Sequence, residues 1–449
     1  MRSEADRHAP CPRRPMRLAS PAAIAGTPRA ARAGACLGAA LALACHAVAA
    51  RGESLMDQLG SVSGVGYVRS VDAFDGHALL ADLIGSEPRD HQEAAALFRL
   101  DGENLFANAR LVAADHSLGA QASRFNEAGL RYAFDNGLSV TAGKRIDALD
   151  TSQAFFPLGF FQKRAASADI YDRYGDVEGT PLVDLKWAGE TTTVQAIAGW
   201  NRSLRGDVDN RDVEGATQLL RVATNWDGGS ASLLAGRHAE HGGTGGTLSL
   251  DVGKSSTVYA SGWIERGTTR AVPRFLADGT PLDQADAYDL VDRRNDRQYM
   301  WRSALGLQSA LPGNVSLIVE WSHDEARYDA SQWRRIVNSI NANHALLAAA
   351  PNLALAGLGA TADAVSVDGS LRDYLFVRAG KKIGHVEYSI RGIYSPQDKG
   401  LLTIAQVVAD IGKRTSLDFA LTHAFAGSGS EYRAVGLSTQ IDAALRVRF

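Results

Sequence analysis

The chain has 449 residues, 45% of them hydrophobic, and a formal net charge of −3. That charge excludes a nucleic-acid partner as the default reading, since a phosphate backbone calls for a basic surface. A mean hydropathy of −0.14 excludes a helical membrane protein, because no segment after the leader offers the ~20 uninterrupted apolar residues of a spanning helix. The nearest stretch, residues 345–360, is interrupted by Pro351 and Asn352.

Residues 1–50 read as a signal peptide, removed on export: Arg13, Arg14, Arg17, Arg29 and Arg32 precede an apolar stretch from Ala35 to Ala44 and the small-residue run Ala47-Val48-Ala49-Ala50. The basic lead-in is long enough that Met16 competes with Met1 as the start. Cys11, Cys36 and Cys45 all fall in this leader, so the mature chain offers no disulfide and no thiolate metal ligand. Residues 51–61 form a short N-terminal segment. Residues 62–449 carry no linker or compositional break and read as one domain.

Across that domain about eighteen segments of strand length alternate apolar and polar positions, joined in turn by tight turns and longer connections. The tight turns read Asp101-Gly102-Glu103-Asn104, Asp135-Asn136-Gly137, Ala188-Gly189-Glu190, Asp227-Gly228-Gly229, Gly253-Lys254-Ser255, Pro312-Gly313-Asn314, Gly380-Lys381-Lys382-Ile383-Gly384 and Gly412-Lys413-Arg414-Thr415. Gly and Asn accept the positive φ of short hairpins, which is why these clusters mark turns. The long connections, near 74–92, 147–179, 267–297 and 326–369, all fall on the opposite side by strand parity. Alternation is clear in Val315, Leu317, Val319 and Trp321 and poor in residues 401–411. Trp187 and Trp226 lie beside tight turns, with Trp200, Trp301 and Trp321 near the other strand ends, the placement of two interfacial aromatic belts. The facing of Trp263 is ambiguous.

The final segment is apolar at Ile441, Ala443, Leu445, Val447 and Phe449 and polar or charged at Asp442, Arg446 and Arg448. Together with the leader, it resembles the terminal strand of a bacterial outer-membrane β-barrel of the porin kind. The stretch Gly143-Lys144-Arg145 with the aromatic loop that follows loosely resembles proteobacterial barrels akin to alginate-export porins. The resemblance implies an all-β transmembrane barrel in the bacterial outer membrane, with short periplasmic turns and long extracellular loops. It also implies that Phe449 is an assembly signal, and that the partners are membrane lipid, lipopolysaccharide, the barrel assembly machinery and small-molecule solutes.

Parity aims Arg110, Arg131, Arg145, Lys186, Arg221, Arg302, Arg378 and Arg391 at the interior, together with Glu127, Glu320 and Glu387. Fixed cations lower the barrier for anions, whereas mutual salt bridges would only stiffen the lumen, and both readings stand. Two loops are candidate constrictions. One carries Phe155, Phe156, Phe160 and Phe161, too apolar to stay in water. The other pairs a cap, Asp329 with Gln332, with Trp333, Ile336, Val337 and Ile340 at helical spacing, predicting a short amphipathic helix. It narrows the pore or lies on the rim.

Metal motifs are weak: His238-Ala239-Glu240-His241 lies on a glycine-rich loop, and Asp207, Asp209, Asp212 and Glu214 depart from a calcium loop at Arg211. No nucleophile elbow, phosphate loop or dinucleotide fingerprint appears, so no cofactor and no catalytic residue is expected. The reading is a passive channel for small polar or anionic solutes; its alternatives are a barrel enzyme of lipase or deacylase type and an adhesin or receptor acting through its loops.

Overall fold

The structure, a computed structural model, describes residues 61–449 apart from 75–90, 115–122, 165–173, 176, 202–214, 239–240, 268–270, 276–287, 293–297, 363–364, 366–368, 435 and 437. The proposed leader, the segment 51–60 and the acidic cluster at 207–214 lie outside the described residues. Among the described residues, eighteen strands form one antiparallel sheet in chain order, and the first, Ser61–Phe74, pairs with the last, Thr439–Arg448, to close it. A three-residue strand, Gln162–Arg164, and a hairpin of Ala271–Phe275 with Tyr288–Asp292 belong to the connections.

Period-two geometry sorts each strand into two faces. In the strand Gly215–Trp226, Leu220 and Val222 are exposed while Thr217 and Leu219 are buried. The same exposed face continues through Leu233, Leu248, Leu305, Leu375, Phe419 and Leu445. A closed sheet with an apolar exterior is the arrangement expected in hydrocarbon, where every strand edge must be paired. Trp187, Trp226, Trp301 and Trp321 stand on that exterior, each 37% to 45% exposed. Trp263 points the other way and is 2% exposed.

The turn chemistry shows in the backbone: Gly137, Gly228, Gly253, Gly313 and Gly384 all have positive φ. Two expected turns shrink. Residues 380–383 continue the strand Asp373–Ile383, leaving Gly384 and His385 to make the reversal, and Thr415 already begins the next strand. The poorly alternating Leu401–Asp410 is a full strand, because neighbours pair with both of its edges and supply the order its own pattern lacks. His238 and His241 are not on a loop; they end one strand and begin the next, opposite each other in register.

The longest connection holds helix α1, Ala330–Leu346, with the expected capping box at Asp329 and Gln332 and a buried face of Trp333, Ile336, Val337 and Ile340. A second helix, α2, Pro351–Ala362, was not expected. Pro351 opens it rather than breaking it, since the first helical position has no N–H obligation to fail. With a short helix α3, Glu431–Ala434, these elements share a core that includes Tyr328, Leu371 and Tyr374. Tyr374 starts its strand facing inward, which places this core at the mouth, on the loop end of the barrel.

Closure of the barrel runs to the last residue. Gly64 and Phe449 exchange two backbone hydrogen bonds of 3.0 Å, and the Phe449 ring packs edge-on against Phe98 at 5.7 Å. The ring lies across Gly64 so closely that a Cβ there would stand 2.2 Å from it. Gly64→Val is therefore expected to cost about 1–3 kcal/mol by overpacking. The folded band in semi-native electrophoresis should convert at a lower temperature than the parent's; an unchanged transition would mean the ring does not need this seat.

Candidate functional site

An eighteen-stranded wall encloses more space than its own side chains fill, and the connection after Leu138–Arg145 enters that space. It is tied to the wall at several strands spaced around the barrel. Glu127 accepts the Ile146 N–H at 3.0 Å, the Gln195 amide reaches Asp147 at 3.1 Å, and Thr151 donates to the Ala260 carbonyl at 3.2 Å. Glu320, fully buried, then receives the N–H groups of Gln153 at 2.8 Å, Ala154 at 3.3 Å and Phe155 at 2.7 Å, with the Tyr259 hydroxyl at 2.9 Å. Three consecutive backbone donors converging on one carboxylate satisfy its lone pairs and fix the loop's path at once.

The wall is shaped for the loop's aromatics. Phe160 and Phe161 belong to a buried cluster with Leu149, Leu158, Leu182, Leu219 and Trp263. Phe160 meets Trp263 edge-on at 5.0 Å and His238 at 4.9 Å, and the Arg302 guanidinium lies 4.7 Å from its centroid. Phe161 fills a recess at Gly199, where a Cβ would come within 2.7 Å of its ring. Phe155 leaves this cluster and stacks on Tyr374 at 5.9 Å, joining the inserted loop to the core of α1 and α2. Phe156 is half-buried. Trp333 and Ile336 of α1 face that mouth core, and the Trp333 indole donates to the Gly429 carbonyl at 2.7 Å.

The interior charges divide into groups. Arg110 is 2% exposed and bonded to Glu93 and Tyr67. Arg378 bridges Ser316 and Glu387, each at 3.1 Å, and Arg391 donates to Gln406 at 2.6 Å, which in turn donates to Asp418 at 2.6 Å. Arg69, not singled out in the sequence, grips Asp442 through Nε at 2.8 Å. On the wall under the loop, Arg145 pairs with Asp184 at 3.2 Å and Arg221 reaches Gln195 at 3.5 Å. Arg131 holds Asp101 at 2.8 Å beside a tight turn, and Lys186 is exposed at the same end. It is Glu320 that holds the loop backbone, while Arg302 meets the Phe160 ring.

The result is a lumen with two unlike sides. The half from Val177–Ala188 to Val315–Asp324 is covered by the inserted loop; the half from Asp373–Ile383 round to Leu105–Ala114 carries the largely buried row Arg378, Glu387, Arg391, Asp418, Arg446, Asp442, Arg69, Glu93 and Arg110, with Tyr174 lying against Arg69. Of these, strand parity in the sequence names Arg110, Arg378, Arg391 and Glu387. It missed the glycine recess and the acceptor role of Glu320, which depend on what lies across the barrel.

No protein-family model matches the chain, and no curated protein matches it. Among solved structures it is similar to OccAB1 of Acinetobacter baumannii, with 10% identity, 88% of this chain and 99% of that chain covered, and a TM-score of 0.50. It is also similar to Pseudomonas aeruginosa OccK3, with 10% identity, 88% and 97% coverage and a TM-score of 0.49. A third is the outer membrane protein OprD of the same species, with 10% identity, 87% and 94% coverage and a TM-score of 0.46. At such identities the likeness is one of fold.

Glu320→Ala removes the acceptor for three loop donors and is expected to weaken the loop's seat by about 2–5 kcal/mol, from charge-assisted hydrogen bonds worth about 1.5–3 kcal/mol each and not additive. Limited proteolysis in detergent should then cut within residues 147–161 many times faster than in the parent, with the barrel core intact; equal rates would remove Glu320 from this role.

Proposed function

We propose that the chain is a passive, porin-like channel of the bacterial outer membrane for small polar or anionic solutes, narrowed by the inserted loop 146–161. The observation that carries this reading is a closed barrel into which a loop is drawn and held by Glu320, while the remaining inward faces carry paired charge. An adhesin or a rim enzyme has no need of such a loop. The apolar exterior with its tryptophans supports the membrane setting.

Pairing tempers the wall's charge. Arginines bound to carboxylates do not repel cations as free ones would, yet each pair aligns a dipole across the path and orients a polar solute. The modest basic excess at Arg378, Arg391 and Arg446 supports a preference for anions. Pore-lining roles for Arg131, Arg145, Lys186, Arg221, Glu127 and Glu387 belong to the same proposal. In it Phe155, Phe156, Phe160 and Phe161 form the constriction, Trp333 and Ile336 brace it from the mouth, and Phe449 serves assembly.

The test is conductance in a planar bilayer. The parent should conduct and favour anions under a salt gradient, and Arg378→Ala with Arg391→Ala should reduce that preference several-fold in permeability ratio. Replacing residues 150–158 by a short Gly/Ser bridge should raise single-channel conductance and admit larger solutes. A folded barrel that carries no current in either form would sink the channel reading, and unchanged conductance in the loop replacement would move the constriction elsewhere.

A further inference from the structure

The tight turns at the periplasmic end of the barrel do not share charge evenly. On one side they carry Asp135, Glu190, Asp227 and Asp251, all exposed, with Lys186 and Lys254 among them. On the other, the turn after Asp373–Ile383, the turn after Leu401–Asp410 and the end of Thr439–Arg448 bring together Lys381, Lys382, Lys413, Arg414 and Arg448, all exposed. Hydrogen bonds join these ends in a row: the Asp410 N–H donates to the His385 carbonyl and the Arg448 N–H to the Arg414 carbonyl, each at 2.8 Å. Lys382 pairs with Asp410 at 3.2 Å, and the carboxylate of Phe449 is the other anion beside them. Among the described residues, Lys381, Lys413, Arg414 and Arg448 form no ion pair.

These cations alternate with side chains that belong in hydrocarbon. Lys381 stands on the outward face shared by Leu375 and Val377, Lys413 and Arg414 follow Ile411, and Arg448 lies between Val447 and Phe449, every one of those apolar residues being exposed. The interleaving puts the charges at headgroup level, where Lys and Arg stems lie along apolar surface and their heads meet phosphate. A soluble acidic partner would instead need a patch clear of the bilayer.

Beside the arc the outward face of the barrel is hollow. The strand register sets Val447, Gly66, Ala96 and Leu111 in one row across four strands, with Val68 and Ala94 in the next. The short side chains in the middle leave a trough of about 520 Å³. Phe449 and Phe98, in edge contact, bound it on the side of the turns. At ~3.3 Å per residue the trough lies roughly 10 Å from the end of Thr439–Arg448, inside the ~15 Å acyl half-layer that faces the turns.

We propose that this side of the barrel binds one anionic phospholipid of the periplasmic leaflet: its headgroup rests on the arc of Lys413, Arg414 and Arg448, and an acyl chain passes Phe449 to fill the trough.

The site depends on the membrane setting and not on conduction. Charge supplies the headgroup preference, since each cation near a membrane surface raises anionic-lipid occupancy about fivefold, an effect that salt weakens. Shape supplies the rest. An acyl chain gains nothing from an apolar wall in a bilayer except closer contact, and a concave wall gives contact on more sides than the convex barrel elsewhere.

The experiment folds the barrel into vesicles of equal parts phosphatidylglycerol and phosphatidylcholine, extracts it in mild detergent and counts the retained lipid by native mass spectrometry, with folding checked by semi-native electrophoresis. The parent should keep phosphatidylglycerol about tenfold in preference to phosphatidylcholine, and a high-salt wash should remove most of it. Lys413→Gln with Arg414→Gln should abolish the preference, whereas Lys254→Gln, in a turn on the other side, should keep it. Ala96→Phe fills the trough from the lipid-facing surface and should reduce phosphatidylglycerol retention several-fold with every charge in place. Equal retention of the two lipids by the parent, a preference that survives in the Lys413/Arg414 variant, or undiminished retention in Ala96→Phe overturns the site. A dimer that Ala96→Phe dissociates also overturns it, since a second copy then covers the trough. A barrel that does not enter vesicles refutes the membrane setting and the site together, whereas a barrel that keeps the lipid preference but carries no current refutes only the channel reading.

Discussion

The structure turns on one interaction, the Glu320 carboxylate receiving the N–H groups of Gln153, Ala154 and Phe155 inside the barrel. A loop that leaves water for an enclosed space must find partners for its backbone, because each unpaired donor costs about as much as a lost hydrogen bond. One anion on the opposite wall meets that demand for three residues. The charge needs the donors as much as the loop needs the charge, so neither is stable in this place without the other. Tyr259 completes the arrangement from the next strand but one.

Once the loop's path is fixed there, its aromatics have few places to go. Phe160 and Phe161 fall on a part of the wall whose inward residues include Leu182, Ile197, Leu219, Leu234 and Trp263. Gly243 and Gly245 leave room for the Trp263 indole to lie flat on the wall, as Gly199 does for Phe161. The glycine-rich start of His241–Val252 thus reflects packing, not mobility. Apolar burial seats the loop, and the carboxylate decides the register in which it sits.

The other half of the barrel fills its interior with ion pairs and amide relays, and Tyr174, from the far end of the same connection, packs there against Tyr67 at 5.2 Å and beneath the Arg69 guanidinium at 4.5 Å. Burying charge on the inside of a wall is tolerable where each group has a hydrogen-bonded partner across the strand, as Arg391, Gln406 and Asp418 do.

Much of this was legible along the chain. Strand number, most turn positions, the inward facing of residues such as Arg378 and Arg391, and the capped helix α1 follow from local rules: period two, positive φ at Gly, and a capping box. Those rules act within a few residues, so a sequence displays them. What the sequence left open was decided across the barrel. Helix α2 hid because Pro351 has the same appearance whether it ends a helix or begins one. Glu320 looked like any inward charge, because its partners stand some 165 residues away. Trp263 alternated ambiguously because inward and outward apolar positions are alike until a loop arrives to cover one of them. Facing is a property of the strand, whereas partnership inside a closed barrel depends on which wall lies opposite, and only the folded chain determines that.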